Sequence, residues 1–298
     1  MCGLTGKTVL LLGGTGQLGR ELTSTIPPGW NVVSRSSQEV DITSPQAVEG
    51  AMSLARPDVV FNAAAYTAVD AAENDRARAF AVNETGVRNV ARSAASLGAR
   101  LIHVSTDFVF DGAKRTPYKP EDPTSPLGAY GESKRAGERA VQQVYAQGSA
   151  IIRTSWLYSA YGKNFVKTIL RLLNERSQVG VVADQCGSPT YARGLAQVIW
   201  RTAADARIHG IFHWSDAGAV SWYEFAVAIK ELGLARGLVR RGTPVVPITT
   251  AEYQTAARRP AFSVLDSSDL ASRVGMQAID WRINLGLMLD ELRALAAA

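Results

Sequence analysis

Short unbroken apolar runs alternate with longer stretches in which apolar positions recur every three or four residues, and this alternation fills the first half of the chain. Thr8-Val9-Leu10-Leu11-Leu12 is apolar without a polar face, which predicts a strand buried on both sides. Asn31-Val32-Val33, Asp58 to Asn62, Leu101 to Ser105 and Ala150 to Arg153 read as four further strands. Helices are predicted between them. One leaves the Gly13–Gly19 turn and runs through Leu22 and Ile26; a second is opened by Ser44 as N-cap and Pro45 at the first helical position, and runs toward Ala55. A long amphipathic helix spans about Glu73 to Leu97, with Gly98 placed to end it. Another follows a loop carrying Pro117, Pro120, Pro123 and Pro126, and holds Tyr130. Strands and helices in this order predict an α/β fold, a doubly wound parallel sheet of Rossmann-like type. Beyond Trp156 the pattern loosens into helices, Pro/Gly turns and isolated strands, which predicts a smaller C-terminal α+β substrate domain. The expected division is 1–157 for a dinucleotide-binding domain, joined by part of 184–214, with 158–298 mostly the substrate domain.

Composition narrows the function classes. Of the 298 residues 46% are hydrophobic and 20% charged, the balance of a folded globular chain. The net charge of +5 is scattered, its densest pairs being Arg240-Arg241 and Arg258-Arg259. A nucleic-acid binder would gather such charge into a stripe, so no nucleic-acid partner is expected. Diffuse positive charge suits the attraction of an anionic small substrate. No apolar run is long enough to span a bilayer, and Met1 to Lys7 leads straight into the first strand without room for a secretory signal. Cys2 and Cys186 are the only cysteines and lack metal-type or redox-type neighbours, so a reduced cytoplasmic setting is expected. With His103, His209 and His213 the only histidines, zinc has few potential ligands.

Candidate chemistry starts at Gly13-Gly14-Thr15-Gly16-Gln17-Leu18-Gly19, between a buried strand and a helix. Gly13 would allow a sharp turn, Gly16 a close approach of backbone to a pyrophosphate, and Gly19 close helix–strand packing, while amides at the helix start face the phosphates. The second strand ends in Ser34-Arg35 rather than an acidic residue. An arginine there can hold a 2′-phosphate, so NADPH is the expected cofactor, with NADH still open. Asp41-Ile42 could flank the adenine, although Asp41 reads equally well as a helix cap. Ala63-Ala64-Ala65 are small enough for a cofactor to lie close, and helix packing accounts for them as well.

Tyr130 and Lys134 stand four apart on a predicted helix and so share a face. The ammonium is expected to lower the phenol's pKa and to hold ribose hydroxyls, with Tyr130 as the acid that protonates a carbonyl oxygen. Thr106, at the carboxyl end of the fourth predicted strand, can donate to that same oxygen. The hydride would come from a nicotinamide.

These segments, together with Asn62 to Thr67, Ser105-Thr106-Asp107 and Arg153-Thr154-Ser155-Trp156, resemble the extended short-chain dehydrogenases/reductases. Within that superfamily Thr15 to Gly19, Ala65 to Asp70, Ser105 to Gly112, Asp184 to Thr190 and Pro260 to Leu265 after Arg258-Arg259 are similar to the dTDP-4-dehydrorhamnose reductase family. The resemblance covers nearly the whole chain. It implies NAD(P)H-dependent reduction of the C4 ketone of dTDP-4-dehydro-β-L-rhamnose to dTDP-β-L-rhamnose, the last step of dTDP-L-rhamnose synthesis for cell wall or surface polysaccharide. By position, it implies that Gly16, Gln17 and Leu18 touch cofactor phosphates, that Asp41 and Ile42 lie near the adenine, and that Ala65, Tyr66 and Thr67 line the nicotinamide side. Thr106, Asp107 and Trp156 would meet the sugar nucleotide, with Asn164 and Phe165 nearby; Trp156 also reads as a core residue at a domain crossover, and Asp107 as a turn cap. Phe108 departs from the family, which often has Tyr there. Some members form dimers bridged by Mg²⁺ through glutamates. Glu21 matches one such position, but Arg193 replaces another carboxylate, so no metal is expected, and monomer and homodimer both stay open. Two other functions fit the same fold: a non-catalytic NADP-binding regulatory subunit, and a nucleotide-sugar epimerase or dehydratase.

Overall fold

The computed structural model describes residues 6–297, so Cys2 lies outside the described residues. Its first half runs β1 (Lys7–Leu12), α1 (Gln17–Ser24), β2 (Trp30–Arg35), α2 (Pro45–Ala55), β3 (Val59–Asn62), α3 (Arg76–Phe80), α4 (Val87–Leu97), β4 (Arg100–Thr106), α5 (Ala129–Tyr145) and β5 (Ser149–Thr154). The second half runs β6 (Leu157–Tyr158), α6 (Phe165–Glu175), β7 (Val179–Val182), β8 (Cys186–Gly187), β9 (Thr190–Tyr191), α7 (Ala192–Ala204), β10 (Gly210–His213), β11 (Val220–Ser221), α8 (Trp222–Ala235), β12 (Val245–Ile248), α9 (Ser268–Val274) and α10 (Trp281–Ala297).

Six strands form a parallel sheet in the order β10-β5-β4-β3-β1-β2. The reversal of winding beside β1 is where such sheets open a crevice at their carboxyl ends. The unbroken apolar strands need cover on both faces. Leu18 and Leu22 of α1, Leu195 and Ile199 of α7 and Leu270 of α9 pack on one face. Val48 and Met52 of α2, Val90 of α4 and Val141 of α5 pack on the other. A separate core joins Ile169 and Leu173 of α6, Phe225 and Ile229 of α8 and Leu285 and Met288 of α10. Among the described residues no helix is long and apolar enough to cross a membrane.

Three local readings differ from expectation. The helix predicted over Glu73 to Leu97 is interrupted: a 3-10 turn covers Ala71–Glu73, α3 follows, and Ala81–Gly86 is π-helical before α4. The widened turn releases the Asn83 side chain for bonds outside the helix, as at many π-bulges. Its Gly98 end is as expected, with φ at 67°. The helix after β1 stops at Ser24, and Ile26 is exposed, because Pro27 and Pro28 follow. β10 was not legible: four residues including Gly and His carry little strand signal, yet they pair with Ala150 to Arg153.

Candidate active site

The glycine turn is closed by geometry that side chains would obstruct. Gly13 has φ +85°, and a Cβ there would stand 2.7 Å from the Ala64 nitrogen. A Cβ on Gly19 would collide with the Gly13 carbonyl, so α1 rests directly on the turn. Gly16 is the N-cap of α1 and supplies no side-chain bond to the first turn, which leaves its amides free for an anion. Gly13 and Gly14 amides both donate to the Arg35 carbonyl at 3.0 Å, which sets Ser34 and Arg35 beside the turn. The Ala63 amide donates to Leu12, bringing Ala63, Ala64 and Ala65 to the same rim. These residues therefore make a cradle for a dinucleotide at the carboxyl ends of β1, β2 and β3.

Several predicted contacts are narrowed by what the side chains already do. Leu18 is core, so only its amide can face a phosphate. Thr15 is exposed. Arg35 lies half-buried with Glu39 at 3.9 Å. Asp41 is exposed and holds the Thr43 amide and hydroxyl at 2.9 and 2.8 Å, a turn-forming role, while Ser44 accepts from Ala47 as the cap of α2. Ile42 is buried in the core and its carbonyl is taken by Asn89 at 3.0 Å. Thr67 is exposed. The Tyr66 backbone is held from both sides by Asn83, whose carbonyl oxygen accepts from the Tyr66 amide at 2.9 Å and whose amide donates to the Tyr66 carbonyl at 3.0 Å.

Thr106 ends β4, Asp107 follows it, and α5 places Tyr130 and Lys134 opposite them. The Lys134 ammonium is buried and donates to the Val104 carbonyl at 2.8 Å. Burial pulls it down to about 8, against the pull of Glu138. Tyr130 differs from expectation. Burial, seconded by the Asp107 charge, pushes its phenol up to about 12, with Thr106 opposing, so the hydroxyl is a neutral donor. The lowering expected from Lys134 is not among the causes of the shift, and the opposing one comes from Thr106. Asp107 is itself raised to about 6 by burial, its Oδ1 accepts from Thr106 at 3.0 Å and its Oδ2 has no hydrogen-bond partner. Phe108 packs edge-on against the Tyr130 ring at 5.4 Å.

Two braces hold this helix, and sequence reasoning missed both. Asn83 Nδ2 also donates to Ser133 Oγ at 3.0 Å, joining the π segment, the Tyr66 loop and α5. One turn beyond Lys134, the fully buried Glu138 receives Arg153 Nε and Nη2, both at 2.8 Å, and Ser105 Oγ at 2.6 Å. That network ties α5 to β4 and β5. The only sequence signals were an Asn and a Gly inside a helical pattern, and an Arg within an apolar strand.

Beside the site a cleft of about 380 Å³ is lined by Phe165, Trp222, Gln185, Tyr253 and Arg259 over the apolar β7. Arg259 is another residue that sequence reasoning left without a role. It makes a bidentate pair with Asp70 at 3.0 and 2.7 Å, linking the loop after β3 to the cleft wall. Trp156 stacks on Trp222, which lines the cleft. Asn164 is engaged otherwise than expected: its amide donates to Gln17 Oε1 at 2.8 Å and to the Ser159 carbonyl at 2.7 Å, and its oxygen caps α6. These bonds make it a brace between the cofactor turn and the start of α6.

The glutamate-bound Mg²⁺ seen in some relatives does not fit here. Arg193 donates to Glu21 at 3.2 Å and to Glu291 at 2.6 Å, so a guanidinium already compensates both carboxylates. Ser159 adds a bond to Glu21 at 2.8 Å. A divalent ion would have to displace that cation and find ligands on a residue that has none. Among the described residues no cluster of three or more His, Cys, Asp or Glu could hold a metal. Activity and melting temperature are expected to be unchanged by EDTA and by added Mg²⁺; loss of either on chelation would contradict this.

A parallel sheet with a glycine turn under its crevice, and a Tyr-x-x-x-Lys helix facing a strand-end Thr, defines a short-chain dehydrogenase/reductase. The chain belongs to the family described as RmlD substrate binding domain, whose model matches residues 7–294. It is 42% identical over 297 residues to dTDP-4-dehydrorhamnose reductase of Burkholderia thailandensis, covering 95% of this chain and 98% of that one. With the enzyme of the same description from Escherichia coli it shares 37% identity, covering 95% and 97%. The crystal structure of dTDP-4-dehydrorhamnose reductase from Bacillus anthracis in complex with NADP superposes with a TM-score of 0.90 at 36% identity, covering 96% of this chain and 99% of that one.

Proposed function

We propose that this protein is an NADPH-dependent oxidoreductase that reduces the C4 ketone of dTDP-4-dehydro-β-L-rhamnose to dTDP-β-L-rhamnose, the closing step of dTDP-L-rhamnose synthesis. The observation that carries the reading is the meeting of the half-buried Tyr130 and the buried Lys134 with Thr106 and Asp107 at the carboxyl end of β4, beside the α1 turn that no side chain caps. When bound, the nicotinamide supplies hydride. The chain's own residues do the rest. Gly13 to Gly19 present amides to the pyrophosphate, and Arg35 meets the 2′-phosphate. Ala63, Ala64, Ala65, Tyr66 and Thr67 border the nicotinamide side. Tyr130 donates its proton to the ketone oxygen as negative charge grows there, and the Thr106 hydroxyl, turning from Asp107 Oδ1, donates a second hydrogen bond to that atom. The Lys134 charge favours the phenolate left behind and offers donors to ribose hydroxyls. The free Oδ2 of Asp107 accepts from a sugar hydroxyl. In the cleft Phe165 and Tyr253 offer an aromatic wall for a base and Arg259 a cation for a diphosphate.

The test is to mix the purified protein with NADPH and the 4-keto sugar nucleotide and follow the reduced nicotinamide's absorbance. Stoichiometric oxidation of added NADPH is expected, and its absence with authentic substrate would reject the reading. Arg35→Ala is expected to weaken NADPH about 10- to 100-fold and NADH by little, the scale of one charge-assisted contact. Equal loss with both cofactors, measured as KM, would remove Arg35 from phosphate recognition.

A further inference from the structure

Trp156 is one of two non-glycine residues with positive φ among the described residues, at 46°. Such backbone is rare for a bulky residue and persists only where its surroundings hold it. The surroundings are unusual. The Trp222 indole lies parallel to that of Trp156, with centroids 3.4 Å apart and an 8° angle between planes. Gly187 covers the ring too: a Cβ there would fall 2.6 Å from Cε2, 2.7 Å from Cζ2 and 2.8 Å from Nε1. Near-equal distances to three adjacent ring atoms mean an approach over the face. An indole stacked at 3.4 Å leaves no room on its own side, so Gly187 covers the opposite one.

Both jaws come from one small ladder. Gly187 of β8 pairs with Val220 of β11, and Trp222 is the first residue of the helix that β11 enters. The start of that helix is fixed by a capping box, in which Ser221 and Glu224 bond reciprocally. Phe165 backs Trp222 at 4.5 Å.

We propose that Trp222 is a positioning residue for the reduction, clamping Trp156 so that the sugar meets the indole's edge and Nε1–H rather than its face. Sugars commonly rest on an aromatic face, and here neither face is open. Trp156 is half-buried, and with both faces covered what it offers is its rim, where the ring nitrogen is a donor. The inference rests on the function proposed above and assigns how that site selects its sugar.

The test compares Trp222→Leu, Trp222→Phe, Trp156→Phe and the Trp222→Leu/Trp156→Phe double variant by steady-state kinetics, NADPH titration and near-UV circular dichroism. Trp222→Leu is expected to raise the nucleotide-sugar KM about tenfold, the scale of a coupled pair, with NADPH affinity unmoved and the near-UV tryptophan signal reduced. Trp222→Phe restores a stacked ring and most of the affinity. In the Trp156→Phe background the Leu substitution adds little, because Trp222 acts through Trp156. An unmoved KM in folded Trp222→Leu, or an equal rise with Trp156 already replaced, overturns the clamp. Should Trp222→Leu fail to fold, Trp222→Met carries the same expectations. Wild-type protein that does not turn over the substrate would overturn the function, whereas wild-type turnover with an indifferent Trp222→Leu would overturn only the clamp.

Discussion

Tyr130→Phe is expected to lower turnover by about two to four orders of magnitude, the loss typical of an acid catalyst. NADPH affinity should change by no more than about fivefold, the equivalent of one neutral hydrogen bond. The size of the effect follows from the burial of the site. A phenol pushed up to about 12 stays protonated through the assay range. The same burial makes a pH prediction. Lys134, drawn down to about 8, carries its charge below that pH and loses it above. The wild-type kcat/KM should therefore fall as pH rises through about 8, the limb belonging to the lysine and not to the tyrosine. A flat profile from neutral pH to well above that value would separate Lys134 from the proton step. An unaffected rate in Tyr130→Phe would remove Tyr130 from it.

The parts of the site that were legible in the sequence are those in which a short segment carries its own meaning. Gly13 to Gly19 announce a turn because each glycine answers a local steric demand. Tyr130 and Lys134 announce a shared helical face because four residues make about one turn. Thr106 was found because a strand's carboxyl end is marked by the run before it. What remained hidden depends on partners far along the chain. Asn83 is drawn out of its helix by Tyr66 and Ser133, 17 and 50 residues away. Arg259 earns a place in the cleft through Asp70, 189 positions distant. Trp222 drew no reading from the sequence, because its meaning comes from the ladder between β8 and β11 and the stacking on Trp156. The sign of the Tyr130 shift was hidden for a related reason. Spacing reveals which charges are near, but the depth of burial, which decided the outcome here, belongs to the assembled fold.

Arg153→Met is expected to cost about 3–5 kcal/mol of folding stability, the range for breaking a buried ion pair from one side. Arg153 and Glu138 are 1% and 0% exposed, so removing the guanidinium leaves a carboxylate that water cannot reach, with only Arg135 at 3.8 Å to balance it. Ser105 would remain as its single hydrogen-bond donor. The Pro120 carbonyl would also lose its bond from Arg153, and the Phe110 ring the cation lying 5.1 Å from its centroid. Glu138→Met should cost a similar amount for the converse reason. The double variant Glu138→Met/Arg153→Met should recover more than half of either loss, because it removes both fully buried charges, leaves only the partly exposed Arg135 without its partner, and refills the space with flexible apolar side chains. Urea unfolding of the four proteins gives the coupling directly. Activity should follow a different order. The pair is what fixes α5, and with it Tyr130 and Lys134, against the ends of β4 and β5, so the double variant should be stable yet remain slower than wild type, without a change in NADPH-to-NADH preference. Single variants within about 1 kcal/mol of wild type would show that the network is incidental to the helix that carries the chemistry.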